Sequence, residues 1–200
     1  MKAKHAVTVS PVHDLIATRW SPRAYDANKP VSREQILSLL EAARWSPSCF
    51  GDEPWRFIVC DKTSNPSAWE QAFSCLAEGN QTWVKNVPVI LLAMASDTFK
   101  HNGQTNRWAQ YDTGAASENL CLQAVALGLM AHQMGGFDPT KAKTVFDIPE
   151  GITCMAMIAV GYQAAEETLT NDLKEREAAP RQRIALEKQF FDGVWGKGII

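Results

Sequence analysis

Between residues 32 and 45 apolar positions recur three and four apart, at Ile36, Leu39, Leu40 and Ala43. That spacing predicts a helix with one apolar face. Ser32 followed by Gln35 supplies a capping-box start. The helix stops near Trp45, because Ser46-Pro47-Ser48 is turn material and Pro47 disfavours helix just before it. Upstream, residues 11–18 read as a shorter helix. Residues 55–60 alternate at first and are rich in strand formers, and residues 87–95 form a nearly continuous apolar run, as expected of a strand covered on both faces. A helix over 67–78, closed by Gly79-Asn80, lies between these strands. Residues 97–103 read as loop.

The longest helical candidate is 106–130, rich in Gly, Ala and Ser from 114 to 126. Its apolar positions (Ala115, Leu120, Leu122, Val125, Ala126, Leu129) spread over more than one face, which predicts burial on several sides, inside the domain or between two subunits. A short helix over 139–145 and a third strand over 153–160, ended by Gly161, complete the ordered part. Residues 162–180 are polar, charged and Ala-rich, as in a mobile connection or lid. The end carries Phe190-Phe191 and Val194-Trp195-Gly196, aromatics that would be costly to leave in water, so the tail is expected to pack on something.

Composition narrows the class. Apolar residues make up 46% of 200 and charged residues 21%, which fits a single globular domain over 1–200. A net charge of −2 without any Lys/Arg-dense block argues against nucleic acid as the partner. Five cysteines, odd in number and without a CxxC, suit reduced thiols in a cytoplasmic protein. Residues 1–10 lack the apolar core of a secretory signal. Residues 115–130 are interrupted by Ser117, Glu118, Asn119 and Gln123, so they do not read as a membrane span. Dinucleotide, P-loop, zincin and nucleophile-elbow motifs are all missing. His5, His13, His101 and His132 have no ligand spacing, which leaves no metal site and suits surface or internally satisfied histidines. Cys49, in a turn with no adjoining His or cation, reads as structural.

What remains is Arg19-Trp20-Ser21-Pro22-Arg23, where two guanidiniums four positions apart flank a hydroxyl. Arginine binds two oxygens at once and suits phosphate or carboxylate. Spacing alone favours an ordinary solvated basic turn. Further along come Ser46-Pro47-Ser48, Pro54-Trp55, Gly79-Asn80, Gly135-Gly136 and Arg181/Arg183.

Taken in order, these elements resemble the FMN-dependent nitroreductase family: R-x-S-x-R, then A-x-x-S-P-S ahead of P-W-x-F, G-N-x-x-W, a long small-residue helix, G-G-F, and a basic pair before an aromatic-x-W-G tail. The resemblance runs from about Val12 to the C-terminus. It implies an α+β three-layer sandwich, a central mixed and mostly antiparallel sheet flanked by helices, with a core over about 12–162. It also implies a homodimer whose C-terminal arm, about 181–200, packs on the other subunit.

The resemblance further implies FMN held by Arg19, Trp20, Ser21 and Arg23, with Arg181 and Arg183 gripping the phosphate from the C-terminal side. Arg23 would face the pyrimidine side of the ring and stabilise negative charge near N1. Asn80 would hydrogen-bond the ring, and Gly135 and Gly136 would place backbone N–H groups near N5. Pro47, Ser48 and Cys49 would contact the flavin across the dimer interface. This chain departs from the family at Phe50-Gly51-Asp52-Glu53-Pro54, where an amide pair is common. Phe50 then becomes a candidate wall of the substrate pocket. Gly135 replaces a residue that is acidic in some members.

The implied activity is transfer of reducing equivalents from NADH or NADPH to nitroaromatics, quinones or similar acceptors by a ping-pong mechanism, with no obligatory protein acid or base. A flavin-binding sensor without turnover, and a same-fold dehalogenase or dehydrogenase, remain open alternatives.

Overall fold

The computed structural model describes residues 4–200. Met1–Ala3, the start of the segment read as lacking a secretory signal, lie outside them. Four strands form one sheet: β1 (Trp55–Asp61), β2 (Val89–Ser96), β3 (Met130–Met134) and β4 (Ile152–Gly161). Their spatial order is β1-β2-β4-β3. All three pairings are antiparallel. Around the sheet lie α1 (Asp14–Thr18), α2 (Arg33–Arg44), α3 (Pro66–Cys75), α4 (Glu78–Val84), α5 (Ala109–Ala126), α6 (Pro139–Val145) and α7 (Asn171–Ala178).

The apolar run sits at the centre because both of its faces are covered. Ile90, Leu92 and Met94 of β2 pack with Trp69 and Ala72 of α3, Trp83 and Val84 of α4 and Ala142 of α6. Val89, Leu91 and Ala93 face the other way, against Ile36, Leu39 and Ala43 of α2 and Ala116, Leu120 and Ala124 of α5. The period-2 alternation of a strand thus divides one apolar sequence between two cores, and the result is the three-layer α+β sandwich. The capping box at Ser32 and Gln35 forms as expected.

Several boundaries differ from expectation. Gly79-Asn80 does not end a helix; the break comes earlier, at Leu76-Ala77, and α4 runs through both residues. The cause is tertiary: Leu76 bridges to Phe137, and Ala77 N–H donates to Gly136 O at 3.0 Å. The long helix ends at Ala126 rather than 130. Gly128 adopts φ +72°, and the N–H groups of Gly128 and Leu129 return to the carbonyls of Val125 and Ala124, a Schellman stop. The chain then re-enters the sheet as β3, a strand that its sequence did not signal.

Within one chain the buried positions of α5 form one stripe (Ala109, Asp112, Thr113, Ala116, Ser117, Leu120, Cys121, Ala124). Small residues let it lie close to the sheet, while Leu122 and Val125 on its flank stay half-exposed. The 162–180 segment is not a loose connection either, since α7 buries Leu173 and Glu177. The aromatic tail remains in the open within one chain: Trp195 is 90% exposed and Phe190 53%. Among the described residues no helix is long and apolar enough to cross a membrane.

Candidate functional site

The arginine-rich loop leaves α1 at Arg19, whose N–H still closes the helix onto Leu15 O at 3.0 Å. The Arg19 side chain pairs with Glu118 of α5, Nε to Oε1 3.2 Å. Burial raises the Glu118 pKa and the Arg19 charge opposes that rise. Trp20 is buried, its indole Nε1 has no hydrogen-bond partner among the described residues, and the Lys4 ammonium lies 4.6 Å from its ring centre. Ser21 is half-buried. Arg23 donates its backbone N–H to Glu177, at 3.0 Å from Oε2 and 3.2 Å from Oε1. Among the described residues its guanidinium enters no ion pair.

The late basic pair folds back onto this loop. Arg181 Nη1 donates to the carbonyls of Lys4 and Ala17, both at 2.7 Å, which tethers the C-terminal segment beside α1. Burial lowers the Arg181 pKa, and the neighbouring charges of Arg19 and Arg183 lower it further. Three guanidiniums from the two ends of the chain therefore share one field. Arg183 itself is exposed.

A second group assembles at the end of β3. Asn80 Nδ2 donates to Gly136 O at 2.9 Å. A Cβ on Gly136 would come within 2.7 Å of that same nitrogen. The absence of a side chain at 136 is what lets the Asn80 amide lie against this end of β3. Asn80 Oδ1 stays available as an acceptor. His132 ties this group to the arginine loop: its Nδ1 lies 2.8 Å from Pro22 O, and its ring stacks on Trp83 at 4.8 Å. A carbonyl can only accept, so Nδ1 carries the proton. Burial is the largest cause holding the His132 pKa down, to about 4. The expectation of an internally satisfied histidine at 132 describes its environment.

The third group stands apart. Among the described residues no hydrogen bond or ion pair joins Pro47, Ser48, Cys49 and Phe50 to the arginine loop. Their turn is held by α5 and by itself: Cys49 N–H donates to Asp112 Oδ2 at 3.0 Å, and Glu53 N–H to Ser48 Oγ at 3.0 Å. Phe50 takes φ +56° and is 81% exposed. It meets the rings of Phe99 and His101 edge-on, at 5.8 and 5.5 Å. Buried Asp52 braces this edge by accepting Lys100 N–H at 2.8 Å. A recess of about 290 Å³ lined in part by Pro30, Lys62 and Asn86 shares no residue with these groups.

Sequence reasoning gave no role to Lys4, Asp112, Glu118 and Glu177, and read His132 as satisfied without seeing what it holds. All five act on backbone or on other charges far away in sequence, so no local motif marks them.

Comparison with known proteins gives consistent relatives. The model of the Nitroreductase family matches residues 16–162. A putative NADH dehydrogenase/NAD(P)H nitroreductase of Methanothermobacter thermautotrophicus is 32% identical, over 88% of this chain and 87% of that protein. The major NAD(P)H-flavin oxidoreductase of Aliivibrio fischeri is 26% identical, over 88% of this chain and 95% of its own length. A crystal structure described as the oxidoreductase containing FMN superposes with a TM-score of 0.91 at 36% identity, covering 98% of this chain and 99% of that one. The two-faced antiparallel sheet and the family match over most of its length agree: this chain belongs to the nitroreductase family.

Proposed function

We propose that this chain passes reducing equivalents from NADH or NADPH to a small acceptor, a nitroaromatic, a quinone or a related compound, by a ping-pong mechanism with FMN bound at the interface of a homodimer. At the coarser level it is an NAD(P)H-dependent oxidoreductase with FMN as cofactor, in line with its flavin oxidoreductase and nitroreductase relatives and its FMN-containing structural neighbour. The residues present fit that group. Arg19, Arg181 and Arg183 gather positive charge that the single ion pair to Glu118 does not cancel. Such a donor set suits a phosphate dianion. Trp20 Nε1, in the same loop as Arg19, is a buried donor without a partner among the described residues.

When bound, FMN supplies the two-electron redox chemistry, and the protein supplies binding, orientation and electrostatics. In this reading Arg19, Arg181 and Arg183 hold the phosphate, and Ser21 and Trp20 line its approach. Arg23, whose guanidinium enters no ion pair among the described residues, is the cation for the electron-rich edge of the ring. Asn80 Oδ1 and the backbone of Gly135 and Gly136 meet the ring from the end of β3. Pro47, Ser48 and Cys49 reach the site across the dimer interface, where the half-exposed flank of α5 and the exposed tail around Trp195 are covered. Phe50, aromatic and exposed, forms a wall for a planar acceptor. No side chain is assigned as an obligatory acid or base.

The observation that carries the reading is the hydrogen bond from Arg181 Nη1 to the Ala17 carbonyl, two residues before Arg19, which brings together basic residues from opposite ends of the chain. Stopped-flow reduction by NADH and by NADPH, followed by reoxidation with nitroaromatics, quinones and oxygen, tests it. Parallel double-reciprocal plots are expected. Protein that binds no FMN and oxidises no NAD(P)H with added FMN would refute the reading. Tight FMN binding without turnover would instead support a sensor.

A further inference from the structure

The segment Trp20–Arg23 has an unusual support. Upstream, Arg19 is closed onto α1. Downstream, Ala24 O accepts Ala164 N–H at 3.0 Å, and Tyr25 bridges to Gln163 beside the end of β4. Between these anchors no backbone–backbone hydrogen bond holds residues 20–23, among the described residues. Two side chains take that role, and both act on the same peptide group. His132 Nδ1–H donates to the Pro22 carbonyl at 2.8 Å. Glu177 accepts the Arg23 N–H, at 3.0 Å from Oε2 and 3.2 Å from Oε1, and its Oε1 also takes Ala24 N–H at 3.3 Å.

A peptide group is planar, so fixing its C=O from one side and its N–H from the other fixes the plane. The Pro22 ring already sets its own φ. The rotation still open to the loop is the swing of the Pro22–Arg23 plane, and that swing re-aims the Arg23 side chain. His132 sits on β3, three residues before Gly135. Glu177, 3% exposed, comes from α7, beyond the residues that the family match covers. A carboxylate is costly to bury, yet among the described residues its hydrogen-bond partners are backbone amides of a loop and it enters no ion pair. The Lys4 ammonium braces the same corner through the carbonyls of Glu177 and Ala179.

We propose that His132 and Glu177 clamp the Pro22–Arg23 peptide from its two sides and are positioning residues that aim Arg23 at the cofactor. The inference rests on the assignment of FMN to this site and adds α7 to the elements that shape it. The clamp sets how well a flavin is gripped without touching it.

The test is titration of FMN into apoprotein, with thermal unfolding of each variant alongside. Glu177→Ala removes the acceptor. His132→Phe keeps a ring against Trp83 but removes the donor. Each is expected to raise the FMN Kd about tenfold or more, because each deletes a hydrogen bond to buried backbone. Glu177→Gln retains an oxygen at the Oε1 position and is expected to stay within about threefold of wild type. In an Arg23→Ala background, Glu177→Ala should change the Kd by less than about twofold, because the clamp acts through Arg23. If Glu177→Ala does not fold, His132→Phe carries the same comparison from the other side of the peptide. An unchanged Kd in a folded variant, or an undiminished effect in the Arg23→Ala background, overturns the clamp alone. Wild-type apoprotein that fails to bind FMN overturns the functional assignment and the clamp with it.

Discussion

Acidification should destabilise this protein through His132, and the size of the effect follows from its environment. Burial is the main cause that lowers its pKa from 6.5 to about 4; the hydrogen bond to Pro22 O opposes the shift and the Arg23 charge adds to it. Below pH 6.5 the unfolded chain takes up a proton that the folded chain refuses. Stability is therefore lost as pH falls from about 6.5 to about 4, and the loss stops below that. Integrated to pH 5, the shift corresponds to about 2 kcal/mol, trimmed to about 1–2 kcal/mol because the ring is partly exposed to screening water. That is a substantial part of a typical folding free energy of about 5–15 kcal/mol.

Two carboxylates, buried Glu177 and half-buried Glu118, act in the opposite sense. Burial raises the pKa of Glu177 and of Glu118, so protonating them as pH falls relieves a cost in the folded state. The wild-type curve sums these terms, and a variant separates them. His132→Asn keeps a donor of similar reach and cannot titrate. Urea unfolding of both proteins at pH 7.5 and pH 5.0 is the assay. The variant should gain about 1–2 kcal/mol relative to wild type on acidification. Stability differences that are equal at the two pH values would refute the reasoning.

Other substitutions probe the scaffold and the site separately. Gly161→Ala would bring a Cβ to 2.7 Å from Pro88 Cδ and 3.1 Å from the Tyr25 ring; both neighbours are rigid, so denaturant unfolding should show a loss of about 1–3 kcal/mol. Gly136→Ala meets only the end of the Asn80 side chain; its unfolding midpoint should barely move while FMN titration shows weaker binding, because Asn80 must turn away. Ser32→Ala removes the capping box of α2 and should cost about 1 kcal/mol by the same unfolding measurement. Arg19→Ala should weaken FMN binding at least about tenfold, as for a charged contact of about 1.5–3 kcal/mol; unchanged flavin occupancy would remove Arg19 from the site.

The parts of the fold that a local pattern can encode were legible. The α2 periodicity with its cap, the β2 run covered on both faces, and the α6 boundaries, which coincide with 139–145, all depend on residues close together in sequence. The misreadings share a different cause. Gly79-Asn80 carries a stop signal, but the stop was placed three residues upstream, at Leu76-Ala77, by contacts to Gly136 and Phe137, more than fifty positions away. Along α5 the stripe buried within one chain was hidden, because it is built from small and polar residues that hydropathy scores weakly. β3 is short, lies at the sheet edge and contains His132 and Gln133, so it lacks both alternation and a continuous apolar run.

The same division governs the site. An R-x-S-x-R loop is visible as a string, but what orients it is not. Glu177 lies in a stretch whose charge and Ala content resemble a solvated helix face, and nothing in its neighbours distinguishes it from Glu175. The distinction is made by position: in α7 the buried residues are Leu173 and Glu177, four apart, so the inward stripe delivers a carboxylate where an apolar residue would ordinarily continue it. An acidic residue at a core position of an otherwise polar helix is a readable signal once the helix phase is known. It requires a backbone partner, and here that partner is the loop over residues 20–23, which has no backbone–backbone hydrogen bond among the described residues. The clamp is thus the consequence of two local deficits, an unladdered loop and a buried carboxylate, that are each satisfied by the other.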